Sequence, residues 1–236
     1  MESFYYLLIL IVSVTYPLAS SFEKRVRFYK YWRGVFLGVA VMSLIFIPWD
    51  VWFTSKSIWG FNEKYITGFK IANLPVEEVL FFMVVPFCCA FIYEVLNYFV
   101  PVSPLNKIEN KLTAGLIFVC FVVSVVFVDR LYTFTTFSLL ALFLIWHLLV
   151  NRSDYMGKFY LAYIIILIPF TVVNGALTGM FTNEPVVWYN DAENLGVRVI
   201  TIPLEDFAYN MLMLLIVITV LESFKIRRMS GILNVT

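Results

Sequence analysis

Apolar residues run along this chain in long blocks, separated by short stretches where the charges gather. A bilayer-spanning helix needs about 20 such residues. Seven blocks qualify, near residues 3–21, 34–53, 75–100, 112–129, 131–150, 159–181 and 203–223. The fold expected is an all-α polytopic membrane protein with seven transmembrane helices. The first block follows Met1-Glu2-Ser3, which lacks the positive n-region of a signal peptide, so it reads as a span.

Composition sharpens this picture. Of 236 residues, 61% are hydrophobic, 19% aromatic and 14% charged, against about 45–50% apolar and about 25% charged in soluble domains. The mean hydropathy is +0.87. One water-soluble core cannot hide that excess, which excludes a soluble enzyme, a disordered chain and a nucleic-acid binder. The net charge of +1 leaves no basic footprint for a polyanion.

The polar separators orient the spans. With the N-terminus outside, 12 of the 17 basic residues fall on the cytoplasmic side. They are Lys24, Arg25, Arg27, Lys30, Arg33, Lys107, Lys111, Arg152, Lys158, Lys225, Arg227 and Arg228. The positive-inside bias therefore predicts an outer N-terminus and a cytoplasmic C-terminus.

The chain aligns with itself, without gaps, in a single register. In it Asn62-Glu63 returns as Asn190-Asp191, Gly68 as Gly196, and Lys70 as Arg198. Leu74-Pro75-Val76-Glu77-Glu78 returns as Ile202-Pro203-Leu204-Glu205-Asp206. This predicts a first half at 1–100, a linker span at 101–130 and a second half at 131–236. Equivalent helices are four crossings apart, so the halves run parallel in a 3+1+3 arrangement. Both acid pairs then lie at the same depth, near the outer surface.

Glu77, Glu78, Glu205 and Asp206 each follow a proline and enter an apolar helix in its first turn. Helix capping explains acids at that position. Two register-matched copies, however, point to function, since intramembrane acids are costly. A carboxyl desolvated among apolar side chains favours its neutral form, the form that can donate a proton. Aromatic residues, among them Phe81, Phe82, Trp52 and Tyr209, cluster in sequence around the acids. Their faces can stabilise a cation, although Trp and Tyr also belong to interfacial belts. Asp50 and Asn174 are polar residues within apolar helices, placed to orient an acid or to pair with another helix. The combination suits protonation of an alkene and guidance of the resulting carbocation.

Other chemistries lack their motifs. There is no GxGxxG or HExxH, and no lysine lies mid-span for a retinal Schiff base. Cys88, Cys89 and Cys120 have no metal-ligand or disulfide spacing and read as packing residues. His147, the single histidine, reads as an interfacial residue. Glu94 and Glu222 fall at the opposite interface in structural roles, and Gly34-xxx-Gly38 and Gly175-xxx-Gly179 allow close helix packing. No metal and no cofactor is expected.

Pro75-Val76-Glu77-Glu78 with Phe81-Phe82, and Pro203-Leu204-Glu205-Asp206, resemble the paired P-x-E-[ED] motifs of the membrane-embedded lycopene cyclases. The resemblance includes Trp49-Asp50, Trp59-Gly60-Phe61-Asn62 and Asn174-Gly175, and it suggests the single-chain fused form. It implies a cofactor-independent, redox-neutral cyclisation of the ψ ends of lycopene to β-ionone rings in the bacterial inner membrane. The carotenoid substrate would enter from the bilayer. It also implies Glu77 and Glu205 as the acid/base carboxyls, with Glu78 and Asp206 tuning or sharing the proton. Phe81, Phe82, Trp52, Tyr209, Asp50 and Asn174 would surround the substrate. The competing readings are a small parallel-repeat transporter and a carotenoid- or retinal-binding protein without catalysis.

Overall fold

In the computed structural model every apolar block becomes a helix, and the described residues are 2–151, 153–229 and 231. Met1 and Arg152, the latter among the charges used for orientation, lie outside them, as does most of the tail after Met229. The helices are α1 (Tyr5–Ser20), α2 (Trp32–Ser55), α3 (Val76–Phe99), α4 (Glu109–Val126), α5 (Leu131–Trp146), α6 (Met156–Leu177) and α7 (Leu204–Met229). With their short flanking turns, all seven are long and apolar enough to cross a membrane. Side chains such as Leu44 (78% exposed), Val12 (73%) and Ile168 (70%) face outward, as a lipid-facing surface requires.

Two helix ends differ from the pattern-based boundaries. The sixth stops at Leu177 rather than near 181, because Gly179 turns to a left-handed φ of 104°. The seventh runs to Met229 rather than 223, its last turn carrying Arg227 and Arg228, cations that favour a helix C-terminus.

Short antiparallel strand pairs gather at one end of the bundle, called the loop end below. β1 (Trp59–Phe61) pairs with β4 (Val187–Tyr189), with Gly60 opposite Trp188. β2 (Lys70–Ile71) pairs with β3 (Leu74–Pro75), and β5 (Arg198–Val199) with β6 (Ile202–Pro203). Bonds in these loops recur in the register of the sequence repeat. Val76 N donates to Phe69 O at 2.9 Å, and Leu204 N to Val197 O at 3.0 Å. Lys70 bridges Glu63 at 2.5 Å, and Arg198 bridges Asp191 at 2.6 Å. Asn62 N donates to Val186 O and Asn190 N to Ile58 O, both at 2.8 Å.

Packing between helices uses small residues where backbones close in. A Cβ on Gly38 of α2 would stand 2.8 Å from the Val217 carbonyl oxygen of α7, a contact only glycine allows. Cys89 and Cys120 are buried and all three cysteines are free, consistent with packing. His147 is buried rather than interfacial. Its Nε2 lies 2.9 Å from Thr219 Oγ1, and its Nδ1 3.2 Å from Ser153 Oγ; the expectation erred because a residue just past α5 here packs against α7. At this same end Lys225 joins Glu94 and Glu222, and Tyr93 donates to Glu222 at 2.9 Å.

Candidate active site

The two acid pairs enter the bundle in matched fashion. Pro75 is extended at φ −63°, ψ 147° and hands over directly to α3. Its missing N–H removes a donor that the helix start would leave unpaired. Glu77 and Glu78 then occupy the first turn of α3, as Glu205 and Asp206 do in α7.

Within each pair the two side chains part company. Successive helical residues point about 100° apart, so one member turns toward the loops and the other into the bundle. Glu77 Oε1 accepts the Thr67 N–H at 2.7 Å, and Glu205 Oε1 accepts the Leu195 N–H at 2.7 Å. Thr133 Oγ1 adds a second bond to Glu205 at 2.5 Å. Gly68 and Gly196 follow those amides with φ of 85° and 68°, a left-handed turn that glycine adopts without steric cost. Glu77 and Glu205 are fully buried loop anchors, each with an Oε2 atom that meets no partner.

Glu78 and Asp206 instead line a cavity of about 50 Å³ beneath the β1–β4 ribbon. Asp50 of α2 lines it as well, and six of the seven helices reach it, α4 being the exception. Tyr6 donates to Glu78 Oε2 at 2.6 Å. Asp206 is bonded more heavily: Tyr132 donates to Oδ1 at 2.6 Å, while Asn174 and Tyr189 donate to Oδ2 at 2.7 and 2.9 Å. Burial first, and then the Asp206 carboxylate, hold the Tyr189 phenol well above its ordinary range, which keeps it a donor. Asp50 Oδ1 accepts Trp59 Nε1 at 2.5 Å and Thr54 Oγ1 at 3.3 Å, while its Oδ2 is buried without a partner.

The walls are aromatic. Trp59 stands 5.0 Å from Tyr132 and 6.1 Å from Tyr209, ring centre to ring centre. Tyr209 in turn packs on Phe46 at 4.8 Å and Trp49 at 5.1 Å. The Tyr209 hydroxyl and both amide atoms of Asn210 are buried without partners, and both residues line the cavity. Among the described residues no three His, Cys, Asp or Glu side chains come close enough together to hold a metal ion.

The residues anticipated from sequence are therefore divided. Glu78, Asp206, Asp50, Asn174, Phe81 and Tyr209 meet at the cavity. Phe82 is buried behind it against Phe46. Trp52 points away, 45% exposed, because it follows Asp50 by two positions on α2 and so falls on the outward face. Tyr6, Tyr132 and Phe170 were not anticipated. The two tyrosines sit at helix starts, where they look interfacial. Tyr6 N donates to Tyr65 O, and Tyr132 N to Glu193 O, so they occupy like positions in the two halves. Tyr132 nevertheless falls slightly short of the repeat register, in which Tyr6 meets Phe134, and an ungapped alignment passes the pair by.

A seven-helix bundle with an apolar exterior, and with carboxyls converging on a buried aromatic cavity, has the form of a polytopic membrane protein. The model of the family described as "Lycopene cyclase" matches residues 3–96 and 129–224. With most of its length matched, the chain belongs to the lycopene cyclase family. Three relatives are each named bifunctional lycopene cyclase/phytoene synthase. The protein of Pyrenophora tritici-repentis is 33% identical over 64 residues, covering 27% of this chain and 11% of the relative. That of Aspergillus niger is 24% identical over 84 residues, covering 34% and 14%. That of Neurospora crassa is 24% identical over 89 residues, covering 38% and 14%. The chain thus spans a small fraction of the length of these relatives. No solved structure matches it.

Proposed function

We propose that this chain is a lycopene β-cyclase, an integral membrane enzyme that closes the ψ ends of lycopene into β-ionone rings without net electron transfer. The observation that carries this reading is the convergence of Glu78, Asp50 and Asp206 on one aromatic-walled cavity. A proton from the Glu78 side adds to C2 of the terminal C1=C2 bond and leaves the cation at C1. The C5=C6 bond attacks, forming the C1–C6 bond and moving the cation to C5. Loss of the C6 proton to Asp206 restores a C5=C6 double bond and ends the ring. Reaction at both ends passes through γ-carotene to β-carotene.

The hydrogen bonds support this division of labour. Three donors on Asp206 suit the charged form that a base needs, whereas Glu78 takes one donor and Asp50 keeps one oxygen unpartnered. Glu78 and Asp50 both line the cavity, and either can carry the proton to be delivered. The faces of Trp59, Tyr132 and Tyr209 stabilise the passing cation. Glu77 and Glu205 act by holding the loops that roof the cavity.

The same reading places the N-terminus outside and the C-terminus in the cytoplasm. Residues 1–100 and 131–236 form two parallel halves joined through α4. The loop bonds that recur in the register of the repeat and the match of the family in two segments support it. On the resemblance to the fused bacterial form, the membrane is the bacterial inner membrane and the carotenoid enters from the bilayer.

The test is chromatography of carotenoids from a lycopene-accumulating bacterial host expressing the wild type, Glu78→Gln or Asp206→Asn at equal levels. Conversion to γ- and β-carotene by the wild type, lost in both variants, is the expected outcome. Unchanged lycopene with well-folded wild-type protein overturns the cyclase reading and leaves a pigment-binding one.

A further inference from the structure

The acid cavity is too small for its proposed occupant. About 50 Å³ is far below what a forty-carbon chain fills, so at most its reacting end can enter. The rest of a forty-carbon molecule must lie elsewhere.

A second cavity, of about 280 Å³, lies between α1, α3 and α6. It shares three lining residues with the acid cavity: Phe81, Phe170 and Asn174. From there it follows α3 past Val85 and Cys88 to Ile92. Eleven residues at 1.5 Å per residue make that path about 16 Å long. Its inward polar groups are already engaged, and the other hydroxyl, on Tyr16, belongs to a side chain 72% exposed. The Ser13 hydroxyl bonds Ile9 O at 2.7 Å, the Cys88 thiol reaches Ser13 O at 3.5 Å, and the Asn174 amide serves Asp206. Apart from the Tyr16 hydroxyl, the wall left to an occupant is hydrocarbon, aromatic ring and sulfur.

Two prolines shape the groove. Pro17 inside α1 and Pro169 inside α6 both line it. A proline within a helix removes the bond to the carbonyl four residues back and bends the axis. Ser13 is that residue for Pro17, which is why its carbonyl is free to accept Cys88.

We infer that the α1–α3–α6 groove holds the polyene arm of the carotenoid, and that Phe81 and Phe170 divide it from the acid cavity into which the ψ end is inserted. This rests on the cyclase reading. The acyclic, unsaturated arm is the occupant because the groove adjoins the acids and its lining is apolar apart from the engaged groups and the outward Tyr16 hydroxyl. Val173, on the groove side of Asn174, then sets how much chain the site admits.

The experiment uses a graded series, Val173→Leu, Val173→Phe and Val173→Trp, in the full chain reconstituted in lipid nanodiscs. Each variant is given lycopene or a shortened apo-lycopenoid with the same ψ end. Conversion of lycopene should fall stepwise, by about tenfold or more for Trp, a tenfold loss being about 1.4 kcal/mol of binding. Conversion of the short substrate, which fills less of the groove, should fall less at every step of the series. If the Trp variant does not fold, the Leu and Phe variants carry the comparison. Unchanged lycopene conversion across the series, or equal loss of both substrates, overturns the groove. Induced circular dichroism of bound lycopene separates this inference from the reaction itself. It should weaken along the Val173 series and persist in Glu78→Gln. If the wild type binds lycopene this way yet converts neither substrate, the cyclase reading fails and the groove stands.

Discussion

The hydroxyl of Tyr132 stands 2.6 Å from Oδ1 of Asp206, and Tyr6 makes a bond of the same length to Glu78. There the likeness of the two acids ends, because Asn174 and Tyr189 add bonds to Asp206 alone. In the register of the repeat, the counterpart of Asn174 is Phe46 and that of Tyr189 is Phe61. The extra donors therefore belong to one acid by sequence. Tyr189→Phe and Asn174→Leu should each lower turnover about tenfold, the worth of one hydrogen bond to a charged group. Tyr6→Phe should cost less. Initial rates of carotenoid conversion per folded molecule measure the difference, and equal losses on both sides would remove the asymmetry of roles.

Glu77 and Glu205 should behave as anchors of the loops. Replacing either by Gln leaves the buried loop amide facing a weaker acceptor, and a destabilisation of about 1–3 kcal/mol is expected. Glu205→Gln should be the more damaging, since Thr133 also depends on it. Thermal unfolding in detergent gives the stability, and limited trypsin cleavage at Lys64 or Lys70 reports release of the first loop. Full stability combined with abolished turnover would return these two carboxyls to the reaction itself.

Membrane orientation can be read by labelling. Glu63→Cys in the loop before α3 and Lys107→Cys between α3 and α4 should differ in intact cells. An impermeant maleimide should label the former at once and the latter only after lysis. The reverse pattern would invert the assignment made from the basic residues.

Lys225 sits between Glu94 and Glu222 at the end opposite the acids, with 17% of its side chain exposed and only 4% of Glu94. Lys225→Met leaves two carboxylates facing each other with little water, and a loss of about 3 kcal/mol is expected. Pairing it with Glu94→Gln should recover part of that loss. A single-variant unfolding curve that overlays the wild type would show the cluster to be idle.

Much of this molecule was legible in its sequence. Seven apolar blocks became seven helices because a continuous apolar segment can satisfy its own backbone in lipid only by coiling into a helix. Pro75 and Pro203 marked the helix starts that bear the acids, and Asp50 and Asn174 stood out as polar residues in apolar surroundings. The partition within each acid pair was not legible. Glu77 and Glu78 are adjacent, and the one that faces the loops is set by how α3 is rotated against α1 and α6, which no local pattern encodes. Phe170 looked like any other lipid-soluble side chain until α3 and α6 came together.

The acid cavity draws Glu78 from one half of the chain and Asp206 from the other, so the two halves furnish one workplace between them. Lycopene has two ends, and on the proposed reaction only one can be served per visit. The half-finished carotenoid must withdraw, reverse and insert its other end, or else be exchanged for a fresh molecule. Product composition then becomes a clock of residence: crowding the membrane with substrate should favour one-ringed γ-carotene, and scarcity should favour two rings.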